Sequence, residues 1–180
     1  MNKITPALQI PFFQLMNEEI SIRDFEKWVY NNTALEEAMG SEAYIELASI
    51  NFNNKYATDE VLSQADEFLD YAAFEQHKLM LLLQHLIQKN GDFESLLLAT
   101  YQQYCWGYKF MIHLGIDYGL NFIEGWIPEA EKSNRINEIY PEVKRRAEQV
   151  INWLNSGAIV LTGKDYQYID NRYLQAGQFI

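Results

Sequence analysis

The sequence predicts a mainly α protein: a single-domain multi-helix bundle over residues 1–180, with a small C-terminal β-hairpin at 158–170 appended to it. Three observations carry this expectation. Capping residues stand repeatedly in front of apolar residues at helical spacing. The stretch 73–89 is apolar nearly all round at 79–83, as expected of a helix through the centre of a fold. Finally, the tail turns β-rich at Ala158-Ile159-Val160-Leu161-Thr162, with Gly163-Lys164-Asp165 leading into Tyr166-Gln167-Tyr168-Ile169.

In chain order, Ser21 is a cap for a helix with apolar residues at 22, 25, 28 and 29, and Asp24 suits the positive end of its dipole. Thr33-Ala34-Leu35-Glu36 has the capping-box pattern, and Gly40 stops that short helix. Residues 43–50 fit another helix, with a strand as the competing reading of so short an apolar run. Thr58 is read as the cap of a helix through Tyr71, with Asp59 and Glu60 in its first turn. Asn90-Gly91 breaks the central helix, and Asp92 caps one that continues past Phe110 and Met111 to Gly115. Gly115 to Asn137, with Gly119, Gly125, Trp126 and Pro128, reads as loop with a short helix, either a binding loop with Tyr118 or equally packing around the helix ends. Pro141 is placed in the first turn of a last long helix whose stripe is Val143, Ala147, Val150, Ile151 and Leu154, stopped by Gly157.

Length and charge narrow the function. A chain of 180 residues buries about 70% of its extended-chain surface as one domain, with no need of a staple. Its one cysteine, Cys105, excludes an internal disulfide and suits a reducing compartment. Positions 1–20 lack a continuous apolar stretch, and the longest aliphatic run, 79–83, is far below the ~20 residues of a membrane span. A cytoplasmic location is expected. With 14 Lys and Arg against 25 Asp and Glu, the net charge of −11 opposes binding to a phosphate backbone. It suits a basic protein partner instead.

Catalytic patterns do not emerge. His77, His85 and His113 lack the Glu-x-x-His and His-Glu-x-x-His spacings, so no metal site is expected. Cys105 and His113 fall on one expected helix about 12 Å apart, too far to hydrogen-bond, and Cys105 reads as a buried inert thiol. Gly115-x-x-x-Gly119 matches no phosphate-binding fingerprint, so no cofactor is expected, and these glycines read as a helix end and a loop. Lys144-Arg145-Arg146, flanked by Glu142 and Glu148, reads as a solvated face. The acidic pairs Glu42 with Glu46 and Asp66 with Asp70 stand i,i+4, a spacing that a solvated helix face also produces.

Charge is unevenly spread. Residues 1–90 hold 6 cations and 14 carboxylates, net −8, against 8 and 11, net −3, in residues 91–180. The densest stretch, 58–78, carries Asp59, Glu60, Asp66, Glu67, Asp70 and Glu75 against Lys78 alone, net −5. Together with Tyr71 these form the candidate partner-binding surface, since concentrated charge steers an oppositely charged partner and aromatics anchor interfaces.

Several segments together resemble small acidic bacterial proteins of the immunity type, from polymorphic or contact-dependent toxin systems. They are Ile20–Tyr30, Leu35-Glu36, Tyr44-Ile45-Glu46-Leu47, Tyr104-Cys105-Trp106-Gly107-Tyr108, Leu114–Leu120, Trp153-Leu154 and Gly157–Gly163, about half the chain in separated patches. The resemblance implies a cytoplasmic protein that binds and neutralises a toxin, at its active site or beside it, with no catalysis of its own. It transfers no individual binding residue. Two other readings stand beside it: a metal-dependent enzyme using carboxylates from 42–70 with His77 or His85, and a helical adaptor for an endogenous partner.

Overall fold

The computed structural model describes residues 3–124 and 128–172, so Gly125 and Trp126 of the expected loop lie outside the described residues. Among the described residues the protein is mainly α, with one two-stranded antiparallel sheet near its C-terminus. The chain divides into two compact units, Met1–Phe74 and Glu75–Ile180, where the sequence reading expects one domain.

The first unit begins with α1, Pro6–Met16, with Pro6 in its first turn and Thr5 at its N-cap making no side-chain hydrogen bond to the helix. Phe12 on α1 is fully buried and meets Phe25 and Trp28 of α2, Ile22–Tyr30, edge-on at 5.0 and 5.6 Å. Ser21 caps α2 as expected, its hydroxyl accepting from the Asp24 amide at 3.1 Å. Next comes α3, Thr33–Met39, with Thr33 already inside the helix and not at its cap. Gly40 ends it with φ +86°, a conformation that only glycine adopts without strain. The ambiguous 43–50 run is helical, α4 being Ser41–Ala48. Tyr44 donates from α4 to the Val29 carbonyl at 3.1 Å.

After α5, Ala57–Ala65, the expected continuation to Tyr71 fails. The helix starts one residue before Thr58, so Thr58 is no cap. The chain tightens into a 3₁₀ turn at Asp66–Phe68 and becomes extended at Leu69, which is fully buried. A new helix, α6, runs Tyr71–Gln88. At this corner both Phe68 and Leu69 are buried. Val61, Ala65, Leu35 and Leu47 complete the core. Full burial of such aliphatic side chains contributes about 1.5–3 kcal/mol each.

In the second unit, Leu79, Leu83 and Leu86 of α6 lie in a core shared with Leu97, Met111, Leu114 and the α9 stripe. Asp92 caps α7, Phe93–Trp106, accepting from the Glu94 and Ser95 amides at 3.3 Å each. The expected run to Gly115 is interrupted. Gly107, at φ +147°, ends α7, a 3₁₀ turn follows at Lys109–Met111, and a π-helix spans His113–Leu120. Gly115 and Gly119 therefore do not shape a loop. Each presents its missing side chain to α7: a Cβ on Gly119 would stand 2.7 Å from the Leu97 carbonyl oxygen, and one on Gly115 2.8 Å from Tyr104 Cβ.

A short α8, Asn121–Glu124, precedes the long α9, Glu129–Asn155. Pro141 sits inside α9 and not in its first turn. Val143, Ala147, Val150 and Leu154 are buried as the periodicity predicts. Strands β1, Ile159–Leu161, and β2, Tyr168–Asp170, pair with Val160 opposite Ile169. The connection turns at Asp165 and Tyr166, both left-handed, closed by the Gln167 amide donating to the Lys164 carbonyl at 2.8 Å.

Candidate functional site

The two units differ sharply in charge. Met1–Phe74 holds 13 carboxylates against 4 cations, net −9, and residues 75–180 hold 12 against 10, net −2. The cations of the first unit are engaged locally. Lys27 pairs with Asp24 at 3.2 Å, Arg23 lies 3.9 Å from Glu26, Lys55 stands over the Tyr56 ring, and Lys3 donates to the Glu67 backbone carbonyl at 3.1 Å.

The seven candidate residues fall on different elements. Asp59 and Glu60 are exposed in the first turn of α5, where they favour the helix dipole, and Glu60 also accepts from Asn54 at 3.0 Å. Asp70 is spent on structure, its carboxylate accepting from the Ala72 and Ala73 amides at the start of α6 at 2.9 and 3.3 Å. Asp66 accepts from the Tyr71 hydroxyl at 2.5 Å, and this bond with the adjacent charge holds the phenol up to about 12. Glu75 belongs to the second unit, where it accepts from Tyr108 at 3.3 Å and pairs with Lys78 at 3.4 Å. Burial first, and then Glu75, push the Tyr108 phenol well above its ordinary value.

Glu67 opens onto a groove. A groove of about 410 Å³ runs between the α3–α4 junction and the 3₁₀ turn. Met39, Ala43 and Phe68 provide apolar lining, Gly40 and Ser41 one wall, and Glu42, Glu46 and Glu67 the acidic rim. Met39 and Phe68 are buried, whereas all three glutamates are exposed. No cation pairs with the three carboxylates among the described residues. The groove exists because Gly40 lets α4 start immediately after α3 in a new direction, and because the turn at 66–68 brings Glu67 to its mouth.

The i,i+4 spacing of Glu42 and Glu46 was visible in the sequence and was equally that of a solvated face. Their meeting with Glu67 depends on a corner that no local signal encodes. The size lies within the range of about 300–1,000 Å³ in which proteins take ligands. A cleft in the second unit, lined by Asp117, Tyr118, Asn121, Phe122, Arg135 and Ile139, is only about 60 Å³.

Reactive groups are dispersed. Cys105 is exposed on α7, contrary to the expected buried thiol, and Gly107 separates it from His113, so the two share no helix. His113 instead meets Asp117 at 2.8 Å on the π-helix surface. Among the described residues no three His, Cys, Asp or Glu side chains gather closely enough to hold a metal ion. The Lys144–Arg146 cluster is held by acids: Glu142 pairs with Arg145 and, at 3.0 Å, with Arg146, while Glu148 lies 3.9 Å from Lys144. These arginines, the Arg145 hydrogen bond foremost, pull the Glu142 carboxyl down to about 2. No described helix is long and apolar enough to cross a membrane.

Compared with protein-family models, curated proteins and solved structures, the chain matches none.

Proposed function

We propose that the protein is an immunity-type binding protein, one that neutralises a basic toxin domain by covering its active site or an adjacent surface. The observation that carries this reading is the net −9 of the first unit, whose few cations are engaged locally. Such a surface attracts a cationic partner from a distance and orients it on approach. A toxin that acts on nucleic acid presents basic residues where phosphates bind, and carboxylates can occupy those positions without any chemistry of their own. Catalysis is not part of this proposal, and a cytoplasmic location goes with it, since that is where such a toxin must be met.

The test is a pull-down with the toxin-like product of the neighbouring gene. A stable complex at low salt that weakens as salt rises is the expected result, because surface charges are screened beyond about 10 Å at 0.1 M. Failure to form a complex at low salt overturns the reading. Charge reversal at Asp59 and Glu60 should slow association more than it speeds dissociation.

A further inference from the structure

We propose that the apolar groove between the α3–α4 junction and the Asp66–Phe68 turn seats a basic segment of the partner, centred on one arginine side chain. The inference rests on the binding-protein reading above and gives it a location and a chemical specificity. Its starting point is the mismatch between floor and rim. The buried Met39 and Phe68 and the helix-face Ala43 offer apolar lining, while Glu42, Glu46 and Glu67 stand exposed without cationic partners among the described residues. Of the nearby cations, Lys3 reaches the Glu67 carbonyl and not its carboxylate.

A side chain that satisfies both parts must be apolar along its stem and cationic at its end. Arginine and lysine are built this way, and both lay their methylenes on apolar surface while the head remains polar. The rim selects between cations. The described acidic groups do not converge tightly enough to share a metal ion. Glutamates spread around a groove suit a planar guanidinium, whose five N–H donors fan outwards and pair bidentately with carboxylates. A volume of about 410 Å³ exceeds what one side chain fills, so the flanking backbone of the segment enters as well.

The experiment titrates the full-length isotope-labelled protein at low salt with the tripeptide acetyl-Gly-Arg-Gly-amide, with acetyl-Gly-norleucine-Gly-amide as the neutral control. The arginine peptide is expected to shift the amides of Gly40, Ser41, Ala43 and Phe68 saturably, and the norleucine peptide to leave them in place. Glu42→Gln with Glu46→Gln, and separately Glu67→Gln, should each weaken binding about tenfold or more, since each removes charge-assisted hydrogen bonds. Unchanged amide spectra elsewhere would show that these exposed substitutions leave the fold intact. Equal shifts with the norleucine peptide would overturn the proposal. Shifts centred on Asp59 and Glu60 would also overturn it, while leaving the acidic first unit as a cation-attracting surface. A cognate toxin that still binds the groove variants at full affinity would likewise remove the groove and keep the broader function.

Discussion

The side-chain oxygen of Gln9, on α1, accepts a hydrogen bond at 2.7 Å from the backbone amide of Asp70, 61 positions further along the chain. The same buried side chain donates to the Ile4 carbonyl at 2.6 Å, so one amide ties the start of the chain to the start of α6. The Ile4 amide adds a bond to the Phe68 carbonyl at 3.2 Å. This clamp fixes the corner at 66–70 and with it the place of Glu67.

Replacing Gln9 by leucine keeps the volume and removes both bonds. Two backbone groups then lose their partners, which costs about 1–3 kcal/mol. The measurement is the urea midpoint of the variant against the parent, and an unchanged midpoint would show that apolar packing substitutes for the clamp. If the corner depends on it, arginine-peptide binding at the groove weakens too.

Gly119 tests the packing of the π-helix on α7. Alanine there would bring Cβ to 2.7 Å from a backbone oxygen and 3.0 Å from Tyr101 Cβ, and a backbone atom cannot swing aside. The expected loss is about 1–3 kcal/mol, despite the better helix propensity of alanine. Thermal denaturation of Gly119→Ala measures it, and an unaltered melting temperature would contradict the close approach.

The Asp66–Tyr71 pair makes a pH prediction. The folded phenol titrates at about 12 against an ordinary 10.0, so the bound proton belongs to the folded state. Whatever stability the pair contributes is therefore complete below pH 10 and disappears as pH rises through about 12. Carbon-13 titration of the tyrosine Cζ, assigned with Tyr71→Phe, reads this directly. Asp66→Asn should return the value towards 10, because the neutral amide carries no charge to oppose the phenolate.

Pro141 interrupts the hydrogen bonding of α9 at an exposed position. Alanine restores an amide that can donate to the Asn137 carbonyl one turn back. A proline within a helix costs up to about 3 kcal/mol, so Pro141→Ala should raise the denaturation midpoint. A lower midpoint would mean that the core of the second unit requires the altered helix path.

The division between what was legible and what was not follows the range of each interaction. Ser21 and Asp92 were readable as caps because a cap bonds to an amide two or three residues on. The α9 stripe was readable because burial of Val143, Ala147, Val150 and Leu154 repeats at the helical period. The hairpin at 158–170 was visible as a β-rich run around a turn. Pro141 misled, since proline favours a first turn by itself, but here partly buried Ile136, Ile139 and Tyr140 before it and buried Val143 and Ala147 after it pack both sides of the helix against the core of the second unit. Gly107 was the unread stop, and with it went the shared helix of Cys105 and His113.

At the candidate site, the sequence by itself determined the charge: an acidic first half, a dense stretch at 58–78, and a glutamate pair one turn apart at 42 and 46. Only the tertiary structure decided which of these charges are available. It committed Asp70 to a helix start, Asp66 to Tyr71 and Glu75 to Tyr108, and it brought Glu67 to the groove beside Glu42 and Glu46. The reason is physical. Charge is a property of each residue, whereas availability depends on partners contributed by segments far away in sequence, such as the Gln9 clamp that holds the corner at Asp70.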